Sequence, residues 1–139
     1  MKPAIGYRQL DVWCRSMELC EMVYAITLQL PQTQRFSLAD QLQRAAVSIP
    51  SNIAEGHAKR SSKDYHRHLK IAAGSLAELE TQLELCVRLG FVDREAVRLA
   101  WNEAQVVARM LSRLIQSIAA RKSERSKLPN AQRPKPNAS

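Results

Sequence analysis

The 139-residue chain is poor in glycine and aromatic residues, and this scarcity excludes most β-rich folds. It has four glycines, and aromatic residues make up 5% of the sequence. A β-sandwich or β-barrel needs many turns and strands rich in aromatic or β-branched residues. The composition and length therefore favour one all-helical domain of ordinary size.

Cysteines and long apolar runs are also scarce, which bears on where the protein works. The three cysteines, Cys14, Cys20 and Cys86, are odd in number and lack a C-x-x-C spacing, so neither a disulfide framework nor a zinc site is expected. No run approaches the roughly 18 apolar residues of a membrane span. The first residues lack the apolar stretch of a signal peptide. These features predict a cytoplasmic protein.

Motifs of catalysis and cofactor binding are missing as well. The sequence contains no G-x-S-x-G, no glycine-rich phosphate loop and no H-E-x-x-H. It also lacks the Glu-x-x-His motif of di-iron bundles. Glu80 and Glu84 share a helix face, but such a pair is more typical of solvated surface charge than of acid–base catalysis. We predict a protein that is not an enzyme and has no cofactor or metal.

Proline, glycine and capping residues divide the chain into four helical segments. Pro31, Gly56 and Gly90 are expected to end the first three segments, and Asp93 to cap the fourth. Ser37 begins a candidate capping box for the second segment. The predicted helices span about residues 9–30, 37–56, 62–89 and 93–121. Residues 1–121 are thus assigned to the folded domain and residues 122–139 to a basic disordered tail.

Apolar residues in each segment recur at alternating steps of three and four. This heptad pattern is typical of helices that pack nearly antiparallel. In the first segment the core stripe is predicted to be Leu10, Trp13, Met17, Cys20, Tyr24 and Thr27. Because the loops are short, consecutive helices should be antiparallel neighbours, so the fold predicted is an up-down-up-down four-helix bundle.

Two helix faces carry more apolar or small residues than a bundle core requires. The first segment has a second apolar stripe beside its core stripe, so about half its circumference is apolar. The third segment has small residues on its outward face, which permit close helix approach. Both surfaces predict contacts in a homo-oligomer. The predicted interface consists of Val12, Leu19, Val23, Ile26, Ala73, Gly74 and Ala77.

The net charge of +8 is concentrated in regions that could bind a polyanion. They are the tail, the segment from His57 to Lys70, and an arginine ladder on the fourth segment. Arginine forks suit phosphate contacts. The candidate phosphate-binding residues are Lys59, Arg60, Lys63, Arg67, Lys70, Arg94, Arg98, Arg109 and Arg113. The two helical faces compete, because assembly could bury one of them, and ordinary solvated charge is the alternative for both.

A third polar feature lies beside Pro50, which is expected to kink the second segment. Ser48, Asn52 and Glu55 share one face there. They either satisfy the polar groups of the kink or line a small-molecule or catalytic pocket, which would require a cavity and a perturbed carboxylate.

Three strings carry a family resemblance: YRQLDVW at 7–13, RAAVSIPSNIAEG at 44–56 and GSLAELETQLEL at 74–85. They resemble bacterial four-helix-bundle proteins encoded in intervening sequences of large-subunit rRNA genes, also described as ribosomal-protein-like. A relative of that family is the accessory variability protein of diversity-generating retroelements. The resemblance implies a homo-pentameric ring, and the relative's binding of RNA and a reverse transcriptase implies nucleic-acid binding here.

Taken together, these features predict a non-enzymatic, homo-pentameric accessory protein that binds structured RNA or another nucleic acid. The alternative is a homo-pentameric scaffold that binds a protein partner and no nucleic acid. Salt dependence distinguishes the two, because phosphate-driven binding weakens steeply as salt rises.

Overall fold

The computed structural model describes residues 6–132, and four long helices account for most of them. The helices are α1 (Asp11–Thr27), α2 (Leu38–Ala58), α3 (Ser62–Arg88) and α4 (Arg94–Lys127). Short 3-10 turns lie at Tyr7–Gln9, Gln32–Gln34 and Asn130–Gln132. These residues contain no strand, and none of their helices is long and apolar enough to cross a membrane.

The helices pack in a closed cycle. Each contacts the next along the chain, and α1 closes on α4. Within residues 6–132 the diagonal pairs α1–α3 and α2–α4 bring no Cα atoms within 8 Å of each other. This is the up-down four-helix bundle that the heptad pattern predicts.

The start of α4 and the turn before it follow the sequence signals. The Asp93 carboxylate accepts the N–H of Ala96 at 2.8 Å, which caps α4 as predicted. Gly90 has a φ of +78°, in the left-handed region that often terminates a helix. Ser61 caps α3, where its hydroxyl accepts the N–H of Asp64 at 3.4 Å.

One predicted side-chain cap and two predicted helix ends are wrong, although Ser37 does directly precede α2. Ser37 does not cap α2 with its side chain, because its hydroxyl donates to Gln34 Oε1 at 2.8 Å. Gly56 lies inside α2, which continues to Ala58. Helix α4 continues to Lys127, so the first part of the predicted tail is helical. The rest of that predicted tail includes residues 133–139, which lie outside the described residues.

The core contains the predicted stripes of α2, α3 and α4, but in α1 it contains mainly the second stripe and only part of the predicted one, such as Thr27. Val12, Leu19, Val23 and Ile26, predicted to face a second subunit, are buried inside the chain's own bundle. Met17 and Tyr24, predicted to be core, are 39% and 44% exposed. That part of the interface prediction is therefore wrong.

The burial of the second α1 stripe in place of most of the predicted one has a physical cause. The true stripe includes Ser16, which interrupts the apolar pattern in the sequence. Ser16 is fully buried, and its hydroxyl donates to the Trp13 carbonyl at 2.8 Å. A buried hydroxyl that is satisfied within its own helix costs little. Arg15 also fixes the orientation of α1, because it makes a two-point ion pair with Glu103 of α4, in which Nη2 lies 2.9 Å from Oε2.

Helix α2 continues through the buried Pro50, and α1 satisfies the carbonyl that the proline leaves free. A proline lacks the N–H that would bond the carbonyl four residues earlier, which here belongs to Ala46. The Cys20 thiol donates to that carbonyl at 3.0 Å. Burial raises the pKa of Cys20 to about 11, so the thiol stays protonated and remains a donor at neutral pH.

Candidate nucleic-acid interface

The polar face beside Pro50 is a hydrogen-bond network between α2 and α3. Asn52 donates to the Ser48 carbonyl at 2.8 Å and to the Ser48 hydroxyl at 3.0 Å. Ser75 of α3 donates to the Ser48 hydroxyl at 2.8 Å. The imidazole Nδ1 of His68 lies 2.9 Å from Asn52 Oδ1. The polar groups of α2 are therefore satisfied mainly by α3.

This network determines which ring nitrogen of His68 donates a hydrogen bond. The side chain is buried, and the residue is 4% exposed. Since the Asn52 oxygen can only accept, Nδ1 of His68 must donate to it. The other nitrogen, Nε2, lies 3.3 Å from a guanidinium nitrogen of Arg67, which can only donate. Both contacts are satisfied when the imidazole carries a proton on Nδ1, and Glu55 Oε2 lies 3.9 Å from the same nitrogen. Arg67 thus has a structural partner, besides Asp64 at 3.8 Å.

Close approach of the two helices explains Gly56. A Cβ atom on Gly56 would lie 2.7 Å from Cβ of His68 and 3.2 Å from a ring carbon of Tyr65. Three surface cavities of the bundle lie elsewhere, and none is lined by Ser48, Asn52 or Glu55. These contacts favour a structural role for Ser48, Asn52 and Glu55 over a ligand pocket lined by them.

The predicted basic residues fall into two groups, and the first group is paired with carboxylates. Arg94 makes two 3.0 Å hydrogen bonds to Glu84 of α3. This contact lowers the pKa of Glu84 and raises that of Arg94. Arg98 bonds Glu95 at 3.0 and 3.1 Å. These arginines are tied into the surface at the end of the bundle that carries the α3–α4 turn.

Lys59 and Arg67 are less tightly held. Lys59 lies 3.8 Å from Glu55, and Arg67 makes the contacts described above. Exposed ion pairs with separations near 4 Å contribute little to stability, so their cations can readily contact other anions instead.

The second group has no carboxylate partner within residues 6–132. It comprises Arg60, Lys63, Lys70, Arg109 and Arg113. Lys70 of α3 lines a cavity together with Ser112 and Gln116 of α4, so the basic start of α3 lies beside the C-terminal half of the arginine ladder. Arg109 and Arg113 of the ladder are neighbours in sequence of Ala108 and Ser112, which line this cavity.

The small residues of α3 remain accessible in the single chain. Gly74 and Ala77 are exposed and Ala73 is half-buried. Ala73 and Ala77 line the same cavity of about 430 Å³ between α3 and α4. Glu80 lines it too, and burial raises the pKa of its carboxyl although Gln105 donates to it at 3.3 Å.

Two further cavities lie at the ends of the bundle. At the α1–α2 turn, a cavity of about 600 Å³ is bordered by Leu28 and Phe36, which are 87% and 88% exposed. At the α2–α3 turn, a cavity of about 460 Å³ is lined by Arg60, Tyr65 and Arg121, among others. Tyr65 and Arg121 were not predicted as site residues, because the register of α4 against α3 is not readable from one helix alone.

Metal-binding side chains are not clustered in the described part of the chain. Residues 6–132 hold no group of three or more His, Cys, Asp or Glu side chains able to bind a metal ion. The three cysteines are free thiols.

Comparisons with known proteins identify relatives of this bundle. Residues 8–113 match the family described as 23S rRNA-intervening sequence protein. A crystal structure from Bacteroides thetaiotaomicron, described as a protein with unknown function from the S23 ribosomal protein family, is 28% identical. The similarity covers 75% of this chain and 97% of that one, with a TM-score of 0.69. No curated protein matches the chain significantly.

Proposed function

The chain belongs to the family of 23S rRNA-intervening sequence proteins, and we propose that it is a non-enzymatic, cytoplasmic protein that binds structured RNA. The observation that carries this proposal is a set of exposed, unpaired cations on α3 and α4. Lys70, Arg109 and Arg113 are exposed and have no carboxylate partner among residues 6–132. Unpaired lysines and arginines release counterions when they contact phosphates, which drives binding.

The face suits recognition of backbone and shape rather than of bases. It lies on two packed helices, so its cations are held at fixed spacing by the core beneath them. None of the residues that line the α3–α4 cavity is aromatic, and the exposed Trp101 of α4 lies about two turns away from it, towards the α3–α4 turn. Arginine forks bind phosphate oxygens at two points and fix orientation.

We also propose that the protein assembles as a homo-pentameric ring. The family resemblance supplies the number of subunits. Exposed apolar side chains on α1, Met17 and Tyr24, and exposed small residues on α3, Gly74 and Ala77, support contact with a neighbouring copy. In a ring, each basic face is repeated in every subunit, and the repeats raise the avidity for one RNA.

The experiment compares two variants that remove the same charge. The first, Lys70→Gln with Arg113→Gln, removes two unpaired cations. The second, Arg94→Gln with Arg98→Gln, removes two paired ones and serves as the matched control. Binding of a fluorescent RNA hairpin is measured by anisotropy across a salt series. Light scattering on a sizing column gives the mass, expected to be five times 15.7 kDa.

The first variant should weaken binding and reduce the slope of log affinity against log salt by about 1 for each lost phosphate contact. The control should bind nearly as well as the unchanged protein. If both variants bind the RNA as tightly as the unchanged protein does, or if the unchanged protein binds no RNA at low salt, the proposal is wrong. A mass other than five chains contradicts the ring alone.

A protein-binding scaffold is the second candidate, and the α1–α2 turn favours it. Leu28 and Phe36 expose most of their apolar surface beside the largest of the three cavities. Exposed large apolar groups around a cavity are typical of protein contacts. A complex with a protein partner that survives high salt and is lost in Phe36→Ser would favour this function over RNA binding.

A further inference from the structure

The cavity at the α2–α3 turn combines cationic and hydroxyl groups from three parts of the chain. Arg60, Ser61 and Ser62 come from the turn and the start of α3, and Arg121 comes from α4. The turn brings them together because α4 runs antiparallel to α3 and passes beside its first residues. Within residues 6–132, neither arginine has a carboxylate partner.

An unsatisfied hydroxyl lies in the wall of the same cavity. The Tyr65 hydroxyl is buried and has no hydrogen-bond partner within the described part of the chain. Its ring packs close to Gly56, where a Cβ would lie 3.2 Å from a Tyr65 ring carbon, and meets the His57 ring in a T-shaped contact with centroids 5.5 Å apart at an angle of 87°. Buried polar groups in proteins are nearly always paired, so an unpaired one indicates a missing partner.

The charge of Arg121 acts directly on this hydroxyl. Burial raises the pKa of Tyr65, and the nearby guanidinium of Arg121 counteracts part of that rise. At neutral pH the tyrosine is therefore a protonated donor beside two guanidinium groups that can only donate. The ligand that complements these three donors is an oxyanion with several acceptor oxygens, and the hydroxyls of Ser61 and Ser62 are also able to donate to it.

We infer that this cavity binds a phosphate group of the RNA, held by Tyr65, Arg60 and Arg121. This inference rests on the proposed function, because it specifies where one phosphate of the bound RNA docks. A volume of about 460 Å³ is larger than phosphate alone requires and leaves room for the attached sugar. The cavity lies at the same end of the bundle as Lys63, so a strand leaving it would continue onto the basic α3–α4 face.

The first test uses inorganic phosphate and the full chain. Amide shifts of Ser62 and Lys63 are followed by NMR during a phosphate titration, with sulfate as a competing oxyanion. The unchanged protein should show saturable shifts. Tyr65→Phe should weaken phosphate binding about tenfold, the typical effect of losing one hydrogen bond to a charged group. Arg121→Gln should weaken it at least as much.

The variants also distinguish binding from folding. Removal of an unpaired buried hydroxyl should leave the stability of Tyr65→Phe unchanged or raised. Arg98→Gln, at the opposite end of the bundle, is the control and should bind phosphate like the unchanged protein. If phosphate causes no saturable shift, or if Tyr65→Phe binds it as well as the unchanged protein, the inference is overturned.

A second test distinguishes the source of the phosphate. Two RNA hairpins of one sequence, with and without a 5′-phosphate, compete against bound inorganic phosphate. Stronger competition by the phosphorylated hairpin assigns the cavity to a terminal phosphate, and equal competition assigns it to a backbone phosphate. If neither hairpin competes although phosphate binds, the cavity is not an RNA site and the inference fails.

Failure here is separable from failure of the proposed function. If the hairpins bind Tyr65→Phe normally but bind Lys70→Gln with Arg113→Gln weakly, the cavity inference is wrong and RNA binding on the α3–α4 face survives. If phosphate binds the cavity while no RNA binds the protein, the proposed function is wrong.

Discussion

The two ends of the bundle differ in how their basic residues are paired. At the α3–α4 turn, Arg94 and Arg98 are neutralised by Glu84 and Glu95. At the α2–α3 turn, cations such as Lys63 have no carboxylate partner within residues 6–132. An arginine ladder in a sequence therefore does not by itself identify a binding surface, because cross-helix pairing decides which of its members remain available.

The two ends also use glycine differently. Gly90, in the α3–α4 turn, is needed for its backbone conformation, with a φ of +78° and no atom within 4 Å of a Cβ placed there. Gly56, near the α2–α3 turn, is needed for space, because a Cβ would lie 2.7 Å from Cβ of His68. One turn constrains the chain locally, whereas the other depends on packing between two helices.

The largest effect is expected for Gly56→Ala. The added methyl group must push α3 away from α2 and disturb the contact with His68, at a cost of about 2 kcal/mol in the free energy of unfolding. Urea denaturation followed by circular dichroism measures it. Gly74→Ala is the control, since its Cβ meets nothing within 4 Å. Alanine there should stabilise the helix by about 0.5–1 kcal/mol. Equal effects of the two substitutions would contradict the close approach at Gly56.

The next effect is expected for Asn52→Ala, which removes the acceptor for His68 Nδ1 and the donor to Ser48. The buried imidazole N–H would be left unpaired, which costs about 1–2 kcal/mol. The measurement is again urea denaturation. Asn52→Asp keeps an acceptor at the same position, so it should lose less stability near neutral pH. An alanine variant as stable as the unchanged protein would show that the network contributes nothing.

A smaller loss is expected for Gly90→Ala. Alanine can adopt a positive φ only at a cost of about 1 kcal/mol, and no neighbouring atom adds a clash. Thermal denaturation of Gly90→Ala and Gly90→Asn compares the two, and asparagine should recover part of the loss because it tolerates this conformation better. If asparagine is no better than alanine, the conformation at this turn is not what selects glycine.

Much of this architecture could be predicted from sequence because heptad stripes and helix-ending residues are local signals. Such signals correctly predicted the stripes of α3 and α4, the cap at Asp93 and the turn at Gly90. For α1 the prediction chose the neighbouring stripe, because Ser16 interrupts the apolar pattern of the stripe that faces the core. Pairing of Arg94 with Glu84, and the cavity between Tyr65 and Arg121, depend on the register between helices, which one sequence does not record.

The smallest effect concerns the paired end of the bundle and is best measured through pH. The Arg94 guanidinium lowers the pKa of Glu84 in the folded protein, so the folded state binds this proton less readily than the unfolded chain. The stabilisation by the ion pair is therefore fully present above the unfolded pKa of about 4.3, and it is lost as pH falls through the folded value. Glu84→Gln should be less stable than the unchanged protein at pH 7, and the difference should shrink as acid protonates Glu84.

The control for this prediction is Lys63→Gln at the unpaired end. It removes a charge without a carboxylate partner, so its small effect on stability should not change between pH 7 and pH 4 in step with the titration of one carboxylate. Because salt screens the charges of both Glu84 and Lys63, the stabilities should be measured at low ionic strength. A difference between Glu84→Gln and the unchanged protein that stays constant down to pH 3 would mean that the Arg94 contact is not held in solution. The paired end would then be as open to phosphate as the other.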